Sequence, residues 1–538
     1  MTHPHPEYAW SPRDWPSEYP VQDAGADEVW CYTDRFSYQP GDTVSVHVSA
    51  SCPAYDLRVV RDGQRPRTVA EQRRLAGVFA PTPADSYLTG CGWPAALTLD
   101  VGEDWPSGLY LVIVGCARPD GTRFEREHFF VVRPGPAAAR RPMALIVSTS
   151  TMMAYNDWGG ANQYRGIGDD PRNDIGAPVV SALRPVARGM LRKPAGAPRE
   201  SNAFTPPPFW LPRYEAYEWA RYNGYSRHHA DSFWATYERP FAVWAESEGY
   251  ELDYYTQHDL HENPDVLAGH RVAVIIGHDE YWSWEMRDAI DRFTGRGGNI
   301  ARFAGNFFWQ VRIEDDGHTQ VCYRDPEQDP VYGTDRERLI TTCWDHQAIG
   351  RPAAATMGLT GAAGVYARYG NAAPRSSGGF TVYRPRHWAF DGTDLYYGDL
   401  LGGAPVCIAA FEMDGVDYTF RHGLPYPAFT DGAPENLDIL AMTPAVAGEE
   451  DRWAGAVPLG SGGTSETSGI LAQTTRGQAA ETDDWWHYGS GMMAVFDTDG
   501  GGTVFNAGTT EWVNGLTHHD YYVETITRNV LDRLGKDR

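Results

Sequence analysis

Val272-Ala273-Val274-Ile275-Ile276-Gly277-His278-Asp279-Glu280-Tyr281-Trp282 is a short apolar run that stops at a glycine and opens into a polar turn. Five aliphatic residues in a row, without alternation, suit a strand covered on both faces, as in a parallel sheet. Downstream, Trp284 to Thr294 is amphipathic with a stop at Gly295, and Asn299-Ile300-Ala301-Arg302-Phe303 starts another strand. Strand, helix and strand with short connections form a βαβ unit, which predicts helices on the faces of a parallel sheet. Ala144 to Ser148 and Gly502 to Ala507 read as further strands, and Pro240 to Gly249 and Val523 to Leu534 as further helices. The expected fold for residues 143–538 is an α/β catalytic domain on a mostly parallel, Rossmann- or amidotransferase-like sheet. Within it, residues 311–490 are rich in Gly, Pro and turns and read as a long, partly β insertion.

Upstream the pattern differs. Thr43-Val44-Ser45-Val46-His47-Val48-Ser49 alternates cleanly after the turn at Pro40-Gly41-Asp42, and Gly108 to Val114 and His128 to Val132 are further strand-like runs. Short strands with turn signals over residues 28–134 predict an immunoglobulin-like β-sandwich. The Pro- and Trp-containing residues 1–27 read as an N-terminal arm, and Pro134 to Pro142 as a linker.

The chain has 538 residues, which suggests two or three domains. With 42% hydrophobic and 13% aromatic residues it has ample material for a packed core, and lacks the signature of disorder. A net charge of −25 argues against nucleic acid and anionic membranes as partners, since both would repel it. Lys193 and Lys536 are the only lysines. No apolar run approaches a membrane span, and Met1-Thr2-His3-Pro4-His5-Pro6 opens without a signal-peptide pattern, so a cytoplasmic protein is expected. Seven widely spaced cysteines without a CxxC pair make neither a disulfide framework nor a thiolate metal site.

Ligands of open parallel sheets bind beyond the carboxyl ends of the strands. Three segments fall there: Ser148 to Gly160, Gly277 to Ser283 and Ala304 to Gln310. A fourth, Tyr225-Ser226-Arg227-His228-His229-Ala230-Asp231, sits in a loop-like region before the Pro240 helix. A lone histidine or tyrosine in such a loop is more often a packing or capping residue than a catalyst; several segments converging on one sheet edge favour chemistry. Asp259 and His261 are read as capping residues.

The motifs AYNDWGG, YSRHHAD, GHDEYWS and GGNIARFAGNFFW, with the closing VFNAGTTEW and HHDYYVETITRNVLDRL, resemble the catalytic domain of the N,N-dimethylformamidase large (beta) subunit family. The resemblance covers roughly residues 142–536, with the preceding sandwich also similar. It implies a mononuclear ferric ion, Fe(III), held by two tyrosinates and one carboxylate, and hydrolysis of an amide. Motif by motif, the metal ligands fall on Tyr155, Tyr225 and Glu280, the active-site histidine on His278 and the asparagine on Asn306. Tyr164, Tyr217 and Tyr222 are the neighbouring alternatives for the tyrosines. Ser232-Phe233-Trp234 departs from the family pattern after YSRHHAD, which bears on substrate choice.

Such a site is chemically coherent. Two phenolates and a carboxylate would balance the charge of Fe³⁺ in a buried setting, and three protein ligands leave room for water and a substrate carbonyl. His278 would then move a proton from water to the departing amine, and Asn306 would bond the water or the oxyanion. Tyr281 reads as packing. The implied function is an iron-dependent amidohydrolase acting on a small or N-substituted amide. Two alternatives stand beside it: the same iron site running another C–N or carbonyl transformation, and a non-catalytic binding protein on an amidotransferase-like sheet. Cys407 lacks the glycine-flanked turn of a thiol amidotransferase. By analogy a homo-oligomer is expected, and a small accessory subunit is a further candidate partner.

Overall fold

The computed structural model describes residues 18–168, 175–197, 219, 220, 222–368, 378–445 and 489–536. Residues 1–17 of the N-terminal arm, and Tyr217, lie outside the described residues.

Eight strands come first: β1 (Val29–Thr33), β2 (Ser37–Tyr38), β3 (Thr43–Ala50), β4 (Ala54–Arg61), β5 (Arg67–Ala76), β6 (Ala95–Asp100), β7 (Gly108–Ala117) and β8 (Arg123–Val132). They form two sheets, ordered β1-β3-β6 and β2-β8-β7-β4-β5, with β1 packed over β7 and β8. Alternation explains the pairing: in β3, Val44, Val46 and Val48 are buried while Thr43 is exposed and Ser45 and His47 are half-covered. The apolar core runs on without a break into the rest of the chain. Trp234 Nε1 donates to Asp62 at 2.8 Å, Arg61 pairs with Glu246 at 2.7 Å, and the rings of Phe129 and Phe233 meet at 4.8 Å.

The second part begins with β9 (Met143–Val147), α1 (Thr149–Tyr155), β10 (Val179–Ser181), α2 (Glu238–Ser247), β11 (Leu252–Thr256), α3 (Gln257–Glu262) and β12 (Val272–His278). It continues through β13 (Tyr281–Ser283), α4 (Trp284–Thr294), β14 (Asn299–Gly305), β15 (Trp309–Glu314), β16 (Thr319–Val321), β17 (Val365–Arg368), β18 (Phe380–Val382) and β19 (Leu400–Leu401). The last elements are β20 (Phe411–Gly415), β21 (Tyr418–Arg421), β22 (Leu424–Pro427), β23 (Asp438–Pro444), β24 (Ser490–Asp497), β25 (Thr503–Asn506), α5 (Trp512–Thr517) and α6 (Tyr521–Gly535).

The central sheet has nine strands in the order β11-β9-β12-β14-β25-β24-β23-β18-β19. Only the pairings from β11 to β25 are parallel; those from β25 through β24, β23 and β18 to β19 are antiparallel. A four-stranded sheet, β10-β16-β15-β13, and smaller ribbons complete the structure. Helix accounts for 19% and strand for 32%, so the expectation of a mostly parallel Rossmann-like α/β fold is overturned: the chain is mainly β, with several mixed sheets. The reason lies in the Gly- and Pro-rich stretch read as an insertion. It supplies β18, β19 and β23 to the central sheet itself, as strands of two to seven residues separated by turns.

The βαβ unit forms as its sequence dictates. Every residue of β12 and β14 is buried, and they pair in register, His278 opposite Gly305. Ser283 caps α4 by accepting from the Met286 N–H at 3.2 Å, and Met286, Ala289, Ile290 and Phe293 turn one face to the core. All seven cysteines are buried. Among the described residues, no helix is long and apolar enough to cross a membrane.

Candidate functional site

The end of β12 and the start of β13 deliver His278, Asp279 and Glu280 to one point. Gly277 makes this possible. Its φ is +76°, and a Cβ there would lie 2.2 Å from the Cβ of Tyr237, so a side chain would have neither the conformation nor the space. Gly305, at the end of β14, admits β20 in the same way: a Cβ would come within 2.5 Å of the Glu412 carbonyl oxygen. That close approach brings Glu412 beside His278.

Glu280 is buried and saturated with donors. The Tyr155 hydroxyl donates to Oε2 at 3.0 Å, and the Tyr164 hydroxyl lies 2.9 and 2.8 Å from Oε1 and Oε2. Trp309 Nε1 donates to Oε1 at 2.8 Å, and the backbone N–H of Glu280 donates to Thr151 at 3.0 Å. Tyr155 is the last residue of α1; Tyr164 returns to it because Asn162 organises a tight turn. The Asn162 amide donates to the Tyr155 carbonyl at 2.8 Å and its Oδ1 accepts from the N–H groups of Tyr164 and Arg165. The two tyrosine rings end 4.5 Å apart.

His278 lies between two carboxylates. Its Nδ1 is 2.5 Å from the Asp231 carbonyl, which requires the proton on Nδ1. Nε2 is 2.5 Å from Glu412 and 3.3 Å from Glu280. Burial disfavours a charged imidazole, but the charge of Glu412 and the bonds to Glu280 and Glu412 outweigh it and hold the group well above its ordinary range. Asn306, at φ 64°, donates to Glu412 at 2.7 Å and lies 3.2 Å from His278 Nε2. Behind this pair, buried Arg302 bonds Asp279 at 3.1 Å and also Asp414, tying the neighbours of Glu280 and Glu412 together.

Burial first, and then the charge of Glu280, push Tyr155 and Tyr164 well above the ordinary phenol range. Both are neutral donors in this arrangement. For Glu280, burial acts upward, but the bond and charge of His278 prevail and hold the carboxyl below its usual value. Two phenol oxygens and a carboxylate, with both phenols bonded to the carboxylate, form a set of hard oxygen donors. A hard trivalent cation replacing the two protons would meet three negative charges, so the residues fit the ferric ion that the family resemblance implies. Among the described residues, His278, Glu280 and Glu412 are also close enough to share an ion, with ligand atoms within 4.8 Å of one another. With protons on both ring nitrogens, His278 is a poor ligand there.

Of the residues singled out from sequence, Tyr155, Glu280, His278 and Asn306 come together. Tyr225 does not join them. Its ring lies 4.9 Å from Trp219 and under the Arg188 guanidinium at 4.3 Å, in a separate cleft. Tyr164, one of the alternatives, lies against Glu280 and Tyr155 instead, and Tyr222 is 73% exposed. YSRHHAD does reach the site, through His228, whose ring is 5.3 Å from that of Tyr155, and through the Asp231 carbonyl. Tyr281 is more than packing: its hydroxyl donates to that of Tyr164 at 2.6 Å and accepts from Arg324 at 2.7 Å. Glu412, Arg324 and Trp309 were not foreseen. The one signal for Glu412 is its i, i+2 spacing from Asp414 directly after the apolar residues Ile408 to Phe411, where two acids on one strand face need a buried use.

Buried phenols and carboxylates around an imidazole, at the carboxyl edge of parallel strands in a mixed sheet, define a protein class built to hold charge away from water. The chain belongs to the N,N-dimethylformamidase beta subunit-like, C-terminal family, whose model matches residues 57–524. The N,N-dimethylformamidase beta subunit of Paracoccus aminophilus is 25% identical over 331 residues, covering 57% of this chain and 38% of that protein. The protein of the same name from an Alcaligenes species is 24% identical over the same shares. The chain thus spans well under half the length of these curated relatives. A sporulation control protein from Bacillus subtilis aligns over 20% of the chain and 48% of its own at 16% identity and a TM-score of 0.14, too low to bear on the fold.

Proposed function

We propose that the chain is an iron-dependent amidohydrolase that cleaves a small or N-substituted amide to a carboxylate and an amine. The family membership supports an amide hydrolase, and the observation that carries the reading is the convergence of the Tyr155 and Tyr164 hydroxyls on the Glu280 carboxylate, each within hydrogen-bonding distance of it. These three residues would hold a mononuclear ferric ion, with Tyr164 in place of Tyr225. Bound there, the metal would supply Lewis acidity toward an amide carbonyl and water.

The protein's part is proton handling. The Glu412 carboxylate takes the proton of the attacking water, and His278, kept protonated by Glu412 and fixed by the Asp231 carbonyl, gives its Nε2 proton to the departing nitrogen. Asn306 holds the Glu412 oxygen in place. Arg324 and Tyr281 present a charge-assisted bond to the Tyr164 oxygen and favour its phenolate form. As the curated relatives are named beta subunits, a second, small subunit is the proposed partner, alongside self-association.

Incubation with N,N-dimethylformamide tests the reading. Formate and dimethylamine in equal amounts are expected, with at least a hundredfold loss in Glu412→Gln and His278→Asn. Iron-loaded protein that releases neither product from this or other small N-substituted amides would overturn it.

A further inference from the structure

The cleft that holds Tyr225 has a volume of about 710 Å³ and lies between β8 of the sandwich and residues 188–194. Arg118, Arg123, Arg126, Arg188, Arg192 and Lys193 line it, against three glutamates. In a chain of net charge −25 this is a local reversal of sign, and it includes one of only two lysines.

Four of the arginines face carboxylates: Arg192 pairs with Glu127 at 2.8 Å, Arg123 with Glu125 at 3.0 Å and Asp56 at 3.3 Å, Arg188 with Glu18, and Arg118 stands 4.0 Å from Glu28. Among the described residues Arg126 has no carboxylate within ion-pair distance. Its guanidinium lies over Trp30 at 4.3 Å and Phe124 at 3.8 Å, and gives one N–H to the Glu125 carbonyl at 2.7 Å. The Nε atoms of Arg126 and Arg192 are buried without an acceptor. Burial lowers Arg126 to about 10, so it stays charged at neutral pH. Planar guanidiniums with spare N–H groups, held rigid on aromatic rings, suit oxyanions.

Two further cations of the cleft reach toward the candidate site. Arg188 donates to the Gly224 carbonyl at 2.7 Å and Lys193 to the His229 carbonyl at 2.7 Å. Both ends of the turn that sets His228 against Tyr155 and Tyr164 are therefore held from the cleft.

We propose that this cleft is a binding site for a small polyanion, phosphate or polycarboxylate in chemistry, and that its occupancy steadies the 224–231 turn. The inference stands independently of the amide chemistry. Calorimetric titration of the whole chain with inorganic phosphate, and separately with citrate, at matched ionic strength, tests it. One saturable site per chain is expected for at least one anion, with affinity at least tenfold weaker in Arg126→Gln and in Arg192→Gln and unchanged in Arg386→Gln, an exposed arginine elsewhere. Saturation by phosphate alone points to a phosphorylated ligand, by citrate alone to a polycarboxylate. Melting curves show whether each variant is folded, and if one is not, the other carries the test. Amide exchange in residues 224–231 should slow on saturation. No saturable isotherm with either anion, heats that vanish at matched ionic strength, or wild-type affinity in the folded variants overturns the site; unchanged exchange overturns its action on the turn.

Discussion

Glu238 offers a quantitative test of the packing around the site. It opens α2, is buried, and accepts from the Ser148 N–H at 3.2 Å, while its second oxygen has no partner. Burial raises its carboxyl from 4.5 to about 7. A carboxyl whose folded value lies above its unfolded one binds its proton more tightly when folded. Its contribution is therefore complete below pH 4.5 and is lost as pH rises through 7. At 1.36 kcal/mol per pH unit, the loss is about 3 kcal/mol at most. Glu238→Gln keeps the shape and removes the titration. Urea unfolding of both proteins between pH 4.5 and 8.5 should show the variant gaining up to about 3 kcal/mol relative to wild type, nearly all of it between pH 4.5 and 7.5. Taking the difference cancels the other titrating groups. A difference flat to within about 0.5 kcal/mol across this range would refute the reasoning.

Other substitutions probe the frame. Arg302→Met leaves Asp279 and Asp414 buried without their cation and should cost about 3–5 kcal/mol in unfolding experiments; adding Asp279→Asn and Asp414→Asn should recover part of it. Gly277→Ala meets both a left-handed backbone and the Tyr237 side chain, so it should destabilise by more than about 2 kcal/mol and abolish turnover. Tyr281→Phe removes the hydroxyl between Arg324 and Tyr164, and should retain bound iron while shifting any tyrosinate absorption band. An unshifted band would show that this bond does not reach the metal ligand.

The site was legible where the chain is local and regular. The run from Val272 to Phe303 carries its own periodicity, cap and stop, which set the segments Gly277 to Ser283 and Ala304 to Gln310 on one sheet edge; the choice of His278, Glu280 and Asn306 within them rests on the family resemblance. Tyr164 was harder, because its return to Tyr155 depends on side-chain bonds of Asn162 to the backbone rather than on periodicity. Tyr225 lies apart although its motif does reach the site, because the motif turns another residue, His228, toward Tyr155 and Tyr164. The antiparallel half of the central sheet was hidden for a different reason. Strands as short as β18 and β19 carry too few residues to show alternation, and their pairing is fixed by partners far along the chain.

The central claim, a ferric centre on Tyr155, Tyr164 and Glu280, is tested most directly by an absorption spectrum with metal analysis. One iron per chain and a visible tyrosinate-to-iron band are expected, with the band lost or strongly weakened in Tyr155→Phe and Tyr164→Phe and intact in Tyr225→Phe. A colourless, iron-free protein after iron loading, or a band that survives Tyr164→Phe and disappears in Tyr225→Phe, would contradict it.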